Sequence, residues 1–123
     1  GQPIYQQIAE RLMDEILAGK YISEERIPGV REYSLLLQVN VNTTVKAFDI
    51  LARQGIIYNK RGLGSFVSAE AVDIIHHLRS DDVLNGMLHE LARQMRLLNI
   101  PMDKVTERLK KLLNEDSGST IVD

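Results

Sequence analysis

The sequence has no cysteine, no long apolar run and no large excess of charge. Without cysteine there can be no disulfide, no thiolate nucleophile and no thiolate metal site, which is compatible with a reducing cytoplasm. No stretch approaches the ~18 consecutive apolar residues that cross a bilayer, and no basic segment followed by an apolar run marks a secretory signal. We therefore expect a cytoplasmic protein that does not use a membrane as a partner.

Recognisable catalytic and metal-binding groups are also scarce. The histidines are His76, His77 and His89. Neighbouring residues on a helix point about 100° apart, so His76 and His77 do not make a chelating pair, and His89 lies about three turns further on. Asp81 and Asp82 diverge in the same way, and no base or nucleophile is recognisable beside them. We expect no enzyme activity, no metal and no cofactor.

The net charge of −2 conceals an uneven distribution along the chain. Between residues 26 and 61, six basic side chains face two acidic ones, which gives a local balance of +4. From Ser68 onward, seven basic side chains oppose ten acidic ones. Because clustered positive charge attracts phosphates, the first half is the candidate partner for nucleic acid.

Three helices are predicted in the first half. Apolar side chains three or four residues apart predict a helix over residues 3–18, and Gly19 follows as a stop. The turn Ile27-Pro28-Gly29 leads into a short helix over residues 30–37. Asn40 offers an N-cap to a third helix, over about residues 41–54.

A β-hairpin is predicted next, because residues 56–58 and 65–67 are β-branched or aromatic runs separated by a glycine-containing loop. Three helices followed by a hairpin is the order of a winged helix-turn-helix. We predict a mainly α fold with a small β-hairpin, in which residues 1–68 form the DNA-binding domain.

The second half is predicted to be helical, with a corner at Asn99-Ile100-Pro101. Its first helix carries an apolar seam with alternating spacings of four and three, which is a heptad pattern. The seam consists of Leu84, Leu88, Leu91, Met95 and Leu98. Ser80-Asp81-Asp82 would either cap a new helix there or lie within an unbroken one. The last helix is predicted to end near Asn114.

The seam either packs against its own chain or pairs with a second copy. Two helices bury little surface by themselves, which favours a homodimer. We therefore predict a helical dimerisation region over residues 69–114 and a flexible polar tail over residues 115–123.

The third helix and the hairpin carry residue types that suit DNA. A helix with its side chains fits the major groove, which is about 12 Å wide, and Asn42, Thr43 and Lys46 are small or polar enough to meet phosphates and base edges. In the hairpin loop, Lys60 and Arg61 can neutralise phosphates. In the same loop, Gly62 and Gly64 permit a close backbone approach to a groove.

Four blocks in the first half resemble the DNA-binding domain of the GntR family of bacterial regulators. They are Ile27-Pro28-Gly29-Val30-Arg31-Glu32, Val39-Asn40-Val41-Asn42-Thr43-Thr44-Val45-Lys46-Ala47-Phe48, Gly55-Ile56-Ile57 and Gly62-Leu63-Gly64-Ser65-Phe66-Val67. The short helical second half is similar to the YtrA subfamily, whose C-terminal region dimerises and lacks a large effector pocket.

The resemblance implies a role for particular residues. Arg31 matches an arginine that reaches DNA, and Asn42, Thr43 and Lys46 match the contacts of the recognition helix. Gly62 and Gly64 match the tip of a wing that enters the minor groove. The sequence departs from the family pattern at three places: Glu24 replaces a usual glycine, Gly29 a capping serine, and Tyr33-Ser34 a Leu-Ala pair.

We therefore expect a homodimer that binds a pseudo-palindromic operator in double-stranded DNA, and, from the resemblance, a repressor. The alternative is a winged helix that uses its third helix and wing to bind a partner protein. An unidentified small-molecule effector would have to bind between the C-terminal helices, because no phosphate loop or ligand-sized domain is visible.

Overall fold

The chain divides into two compact units, Gly1–Ser80 and a second that begins at Asp81. The computed structural model describes the backbone of residues 1–122 and the side chains of residues 1–115. The first unit contains α1 (Ile4–Leu17), α2 (Val30–Leu37), α3 (Val41–Arg53), β1 (Ile57–Lys60) and β2 (Gly64–Val67). Later elements are α4 (Ala71–Asp82), a π-helical segment (Val83–Met87), α5 (Leu88–Leu98) and α6 (Met102–Val122).

The predicted helices of the first half are confirmed, and so is the cap of the third. The side-chain oxygen of Asn40 accepts a hydrogen bond of 2.8 Å from the backbone N–H of Asn42, which satisfies one of the free donors at the start of α3. At the other end of α3, the N–H of Ile56 donates to the carbonyl of Leu51 at 3.0 Å. The chain then turns directly into the hairpin.

The core of the first unit lies between α1, α3 and the hairpin, because α3 packs against α1, α2 and β1. Its fully buried side chains include Leu12, Tyr33, Leu51 and Ile56. The hydroxyl of Tyr33 donates to a carboxylate oxygen of Glu15 at 2.6 Å and so joins α2 to α1. Burial, and then this hydrogen bond, raise the pKa of Tyr33 above its usual value.

The hairpin is longer than predicted and has a third backbone segment beside it. Lys60 lies within β1, opposite Gly64, so only residues 61–63 connect the two strands. On the far side of β2, Arg26 forms an isolated antiparallel bridge with Phe66. The N–H of Ile27 donates to Ser65 at 2.9 Å, so the segment before α2 is fixed to the wing.

The first compact unit extends to Ser80, and the predicted end of the DNA-binding domain at Ser68 stays a prediction. Ala71 and Ile75 are buried in the same core. The guanidinium of Arg79 is 2.7 Å from a carboxylate oxygen of Asp14 and donates to Glu10 at 2.9 Å. These ion pairs fix the last turn of α4 to α1.

The chain stays helical from Ala71 to Leu98, so Ser80 does not begin a separate helix. The irregularity lies just beyond it, in the π-helical segment Val83–Met87. The predicted corner is confirmed: α5 ends at Leu98, the next residue Asn99 has a φ of +56°, and α6 begins at Met102.

The helix α6 continues to Val122, beyond the end predicted near Asn114, and residue 123 lies outside the described residues. The flexibility of residues 115–123 stays a prediction. Between residues 81 and 115, the part of the second unit with described side chains, no residue is buried. No described helix combines the length and apolar character needed to cross a bilayer.

Candidate nucleic-acid interface

The helix α3 has a core face and an exposed face. Its buried side chains are Thr44, Ala47, Phe48 and Leu51. These contacts leave Asn42 and Lys46 exposed, together with Asp49 and Arg53, while Thr43 is half-buried. The predicted contacts Asn42, Thr43 and Lys46 therefore lie within the first two turns of one helix.

The charge of Lys46 is held in place by an aromatic ring. Its Nζ lies 4.1 Å from the ring centroid of Tyr5, which packs on α1 against the core. A cation over an aromatic face is attracted by about 0.5–1 kcal/mol at an exposed site. Sequence reasoning did not predict this contact, because no local pattern reports a contact between residues so far apart.

The tip of the wing is formed by residues 61–63, with an exposed Arg61. Gly62 has a φ of +79°, and a side chain there would meet nothing within 4 Å. Gly62 is therefore the open point of the tip, where backbone can approach another molecule closely. Lys60, at the end of β1, carries its Nζ 4.8 Å from the ring centroid of Phe66.

Arg26 holds the wing tip, a role that sequence reasoning missed. Its Nε donates to the carbonyl of Leu63 at 2.9 Å. A Cβ added to Gly64, whose φ is +113°, would lie 2.9 Å from the same nitrogen. The backbone conformation therefore favours glycine at position 64, and a side chain there would displace the guanidinium of Arg26. In the sequence, Arg26 is only one of the six basic side chains between residues 26 and 61.

The departures from the family pattern have local explanations. Glu24 has a φ of +70°, the conformation that glycine adopts easily, and its carboxylate accepts a hydrogen bond from the hydroxyl of Tyr58. This hydrogen bond raises the pKa of Tyr58. Gly29 caps α2 without a side-chain bond. Tyr33 and Ser34 are both buried, and the Ser34 hydroxyl donates to the Val30 carbonyl at 2.7 Å.

The predicted DNA-binding residues fall on three elements. Lys60, Arg61, Gly62 and Gly64 lie together on the wing. Arg31 is exposed in the first turn of α2, which packs against α3. The remaining three, Asn42, Thr43 and Lys46, are on α3.

The predicted dimerisation residues belong to the second unit and are largely solvent-exposed. Leu84, Leu88, Leu91 and Leu98 are 57%, 51%, 40% and 64% exposed, and Met95 is half-buried. An open groove of about 670 Å³ runs between α5 and α6. Its apolar lining includes Leu88, Leu91, Met95, Ile100, Val105 and Leu109.

Among the residues that the structure describes, no three His, Asp or Glu side chains are grouped so that they could hold a metal ion.

The first unit is a winged helix-turn-helix, in which α3 is the recognition helix and the β1–β2 hairpin is the wing. Residues 4–67 match the family model described as "Bacterial regulatory proteins, gntR family". The chain therefore belongs to the GntR family of DNA-binding transcription regulators, in its YtrA-like group, as the resemblance implied.

Three relatives illustrate the match. The chain is 28% identical to the HTH-type transcriptional repressor YtrA of Bacillus subtilis, over 94% of this chain and 88% of that protein. A putative GntR-family regulator from Bacteroides thetaiotaomicron is 38% identical, with a TM-score of 0.82 over 93% of this chain and 99% of the other. The DNA-binding domain of AraR in complex with operator ORX1 is 32% identical, with a TM-score of 0.53 over 55% and 82%.

Proposed function

We propose that two copies of this chain bind a pseudo-palindromic operator and repress transcription by occluding a promoter. Each copy places α3 in a major groove and its wing against the neighbouring backbone. The two half-sites lie roughly 34 Å, one turn of the duplex, apart. The second unit holds the two copies together.

The observation that carries the dimer is the surface of the second unit. None of its residues between 81 and 115 is buried, although α5 and α6 present leucines at Leu88, Leu91 and Leu109 along an open groove. Isolated short helices are marginal in water, and their stability in proteins comes from packing an apolar face. A second copy supplies a matching apolar face through a two-fold axis, which makes the same patch serve both partners.

The exposed face of α3 favours DNA over a partner protein. Asn42 and Lys46 are exposed there, with Arg53 further along the helix. Amide and cationic side chains suit base edges and phosphates. Exposed basic residues on the wing, Lys60 and Arg61, add charge that phosphates neutralise.

Repression is supported by the similarity to YtrA, a transcriptional repressor that this chain matches over most of its length. An operator that overlaps a promoter would exclude polymerase by occupancy alone, without a contact to it. An effector in the groove between α5 and α6 stays a prediction. A thermal-shift screen against metabolites tests it, and a flat result across the panel counts against an effector.

Selection of bound fragments from random duplex DNA tests the proposal most directly. The expected result is a two-fold related pair of half-sites. Mobility-shift titrations with Arg31→Ala and Lys46→Ala should then weaken binding by about 1–3 kcal/mol wherever the contact reaches a base edge. The matched control is Lys20→Ala, since Lys20 pairs with Glu15 and lies outside the predicted interface. Unchanged affinity in both variants would contradict the assignment.

Light scattering tests the dimer. Leu91→Arg puts a charge into the apolar groove and should halve the mass in solution, while Ile22→Arg, at a 63% exposed loop position, should leave it unchanged. The Leu91 variant should still bind a single half-site weakly. A wild-type monomer at micromolar concentration would overturn the dimer but not DNA binding.

A further inference from the structure

Two valines on α3 contribute little to the core of the first unit. Val41 and Val45 are 41% and 39% exposed. Neither belongs to the buried core or to the half-buried side chains packed against it, whereas Val30 and Val39 belong to the latter group. The two valines are one helical turn from each other on α3. They flank Asn42 in the segment predicted to meet base edges.

We propose that Val41 and Val45 contact thymine methyl groups in the major groove and so make this recognition helix prefer A·T pairs. The inference rests on the proposed function, because it requires α3 to lie in the groove. It deepens that function by naming the feature of the operator that the helix recognises.

The chemistry of the base edges supports the assignment. The thymine methyl is the apolar group that the four base pairs present in the major groove, and the other groups there are hydrogen-bond donors and acceptors. An isopropyl side chain cannot bond to those groups. If Val41 or Val45 faced a hydrogen-bond donor or acceptor of a base, it would displace the water bound to that group and leave the group unsatisfied, which is unfavourable.

The spacing of the valines also suits the duplex. The Cβ atoms of residues four apart on a helix are about 5–6 Å from one another, and bases along one strand are about 3.4 Å apart. Val41 and Val45 can therefore reach thymines one or two steps apart on one strand.

Asn42 strengthens the same preference. Its backbone N–H is already bonded to the Asn40 cap at 2.8 Å, so its exposed side-chain amide is what it offers to a base. An amide side chain pairs in bidentate fashion with the N6 and N7 groups of adenine. Val41, Asn42 and Val45 thus all favour A·T pairs where α3 meets the bases.

Replacement of single thymines by deoxyuridine tests this inference, because it removes one methyl group and leaves base pairing intact. The operator obtained by fragment selection is the starting duplex. At the thymines that α3 contacts, each replacement should lower the affinity of the wild-type protein about fourfold, the effect of losing one buried methyl group. At thymines elsewhere in the duplex, replacement should have no effect.

The variants Val41→Ala and Val45→Ala identify the protein partner of each methyl group. Each should bind the thymine operator more weakly than the wild type does and should lose sensitivity to deoxyuridine at one position. Ile22→Ala is the matched control, since this 63% exposed side chain lies in the loop between α1 and α2. Its deoxyuridine profile should equal that of the wild type. Both valines are exposed, so the variants should melt as the wild type does.

The outcomes separate the two proposals. Tight operator binding that ignores every deoxyuridine replacement, or G·C pairs where α3 docks, would overturn the role of the valines and leave operator binding intact. A protein that selects no duplex at all would overturn the proposed function itself.

Discussion

The position of Lys46 depends on an aromatic residue from another helix. Because its Nζ lies 4.1 Å from the ring centroid of Tyr5, the ring restricts where the charge can lie before DNA arrives. Fewer side-chain conformers are then lost on binding, which favours affinity.

We expect Tyr5→Leu to weaken operator binding about two- to tenfold, since ordering a free side chain on binding costs about 0.5–1.5 kcal/mol. Tyr5→Phe keeps the ring and should bind like the wild type. Mobility-shift titrations measure both. In a Lys46→Ala background, Tyr5→Leu should have no further effect; an equal loss there would mean that Tyr5 acts independently of the lysine.

Thr44 carries a buried hydroxyl with no hydrogen-bond partner in the described part of the chain. Leaving such a group unsatisfied costs about 1–3 kcal/mol. Thr44→Val has nearly the same shape and removes the hydroxyl, so it should raise the free energy of unfolding by about 1 kcal/mol in denaturant titrations. Thr43→Val, at the half-buried neighbouring position, should not raise it. A lower stability for Thr44→Val would indicate a bound water at this site.

At the scale of elements, the sequence predicted the helices and their order far better than the contacts between them. The spacing of apolar residues and the Asn40 cap are local features, so α1, α2 and α3 could be read within a residue or so. The contact of Arg26 with Leu63 joins residues 37 apart in the chain. No periodicity encodes such a pair, and the clamp of Arg79 on Asp14 was missed for the same reason.

The second half shows the same limit in another form. The sequence left open whether a new helix begins at Ser80-Asp81-Asp82; helical hydrogen bonding continues past Ser80, and the π-helical segment follows it. The predicted end of α6 near Asn114 was wrong, because the polar residues that follow can continue a helix as well as end it.

The tip of the wing is held by a single side chain, that of Arg26, and its role can be tested. Arg26→Met keeps the length of the side chain but loses the donor to Leu63, so the tip should become more mobile. We expect faster amide exchange at residues 61–64 and weaker operator binding, with little change in melting temperature because Arg26 is exposed.

Arg26→Lys is the control, since it retains the charge and can still donate to the carbonyl. In a variant that already lacks Lys60 and Arg61, Arg26→Met should weaken binding no further. A full additional loss in that background would show that Arg26 contacts DNA itself rather than acting through the wing.

The link between α1 and α2 is expected to depend on pH. Burial and the hydrogen bond to Glu15 raise the pKa of Tyr33, whereas the unfolded chain ionises this tyrosine near pH 10. The folded state should therefore lose stability as pH rises above about 10, because only the unfolded state gains from deprotonation there. Tyr33→Phe should reduce this alkaline loss and lower stability at pH 7 by about 1–2 kcal/mol, measured by denaturant titration. An unchanged alkaline profile would contradict the assignment.

At the scale of the whole molecule, the salt dependence of DNA affinity reports on the first unit, and the concentration dependence of melting reports on the second. Each phosphate neutralised by the first unit lowers log affinity by about 0.9 per decade of salt. The second unit has no buried residue between positions 81 and 115, so its folding is expected to depend on pairing. Its helical signal should melt at lower temperature as the protein is diluted, because the paired state is favoured by mass action. A melting temperature independent of concentration would exclude this coupling.

The lack of buried residues between positions 81 and 115 also bears on how the regulator responds to its own concentration. If the chain pairs as we propose, the amount of dimer at low concentration rises with the square of the amount of chain, so doubling synthesis raises the operator-binding species about fourfold. A cell could therefore pass from an open to a closed promoter over a narrow range of expression, with no metabolite acting as the signal.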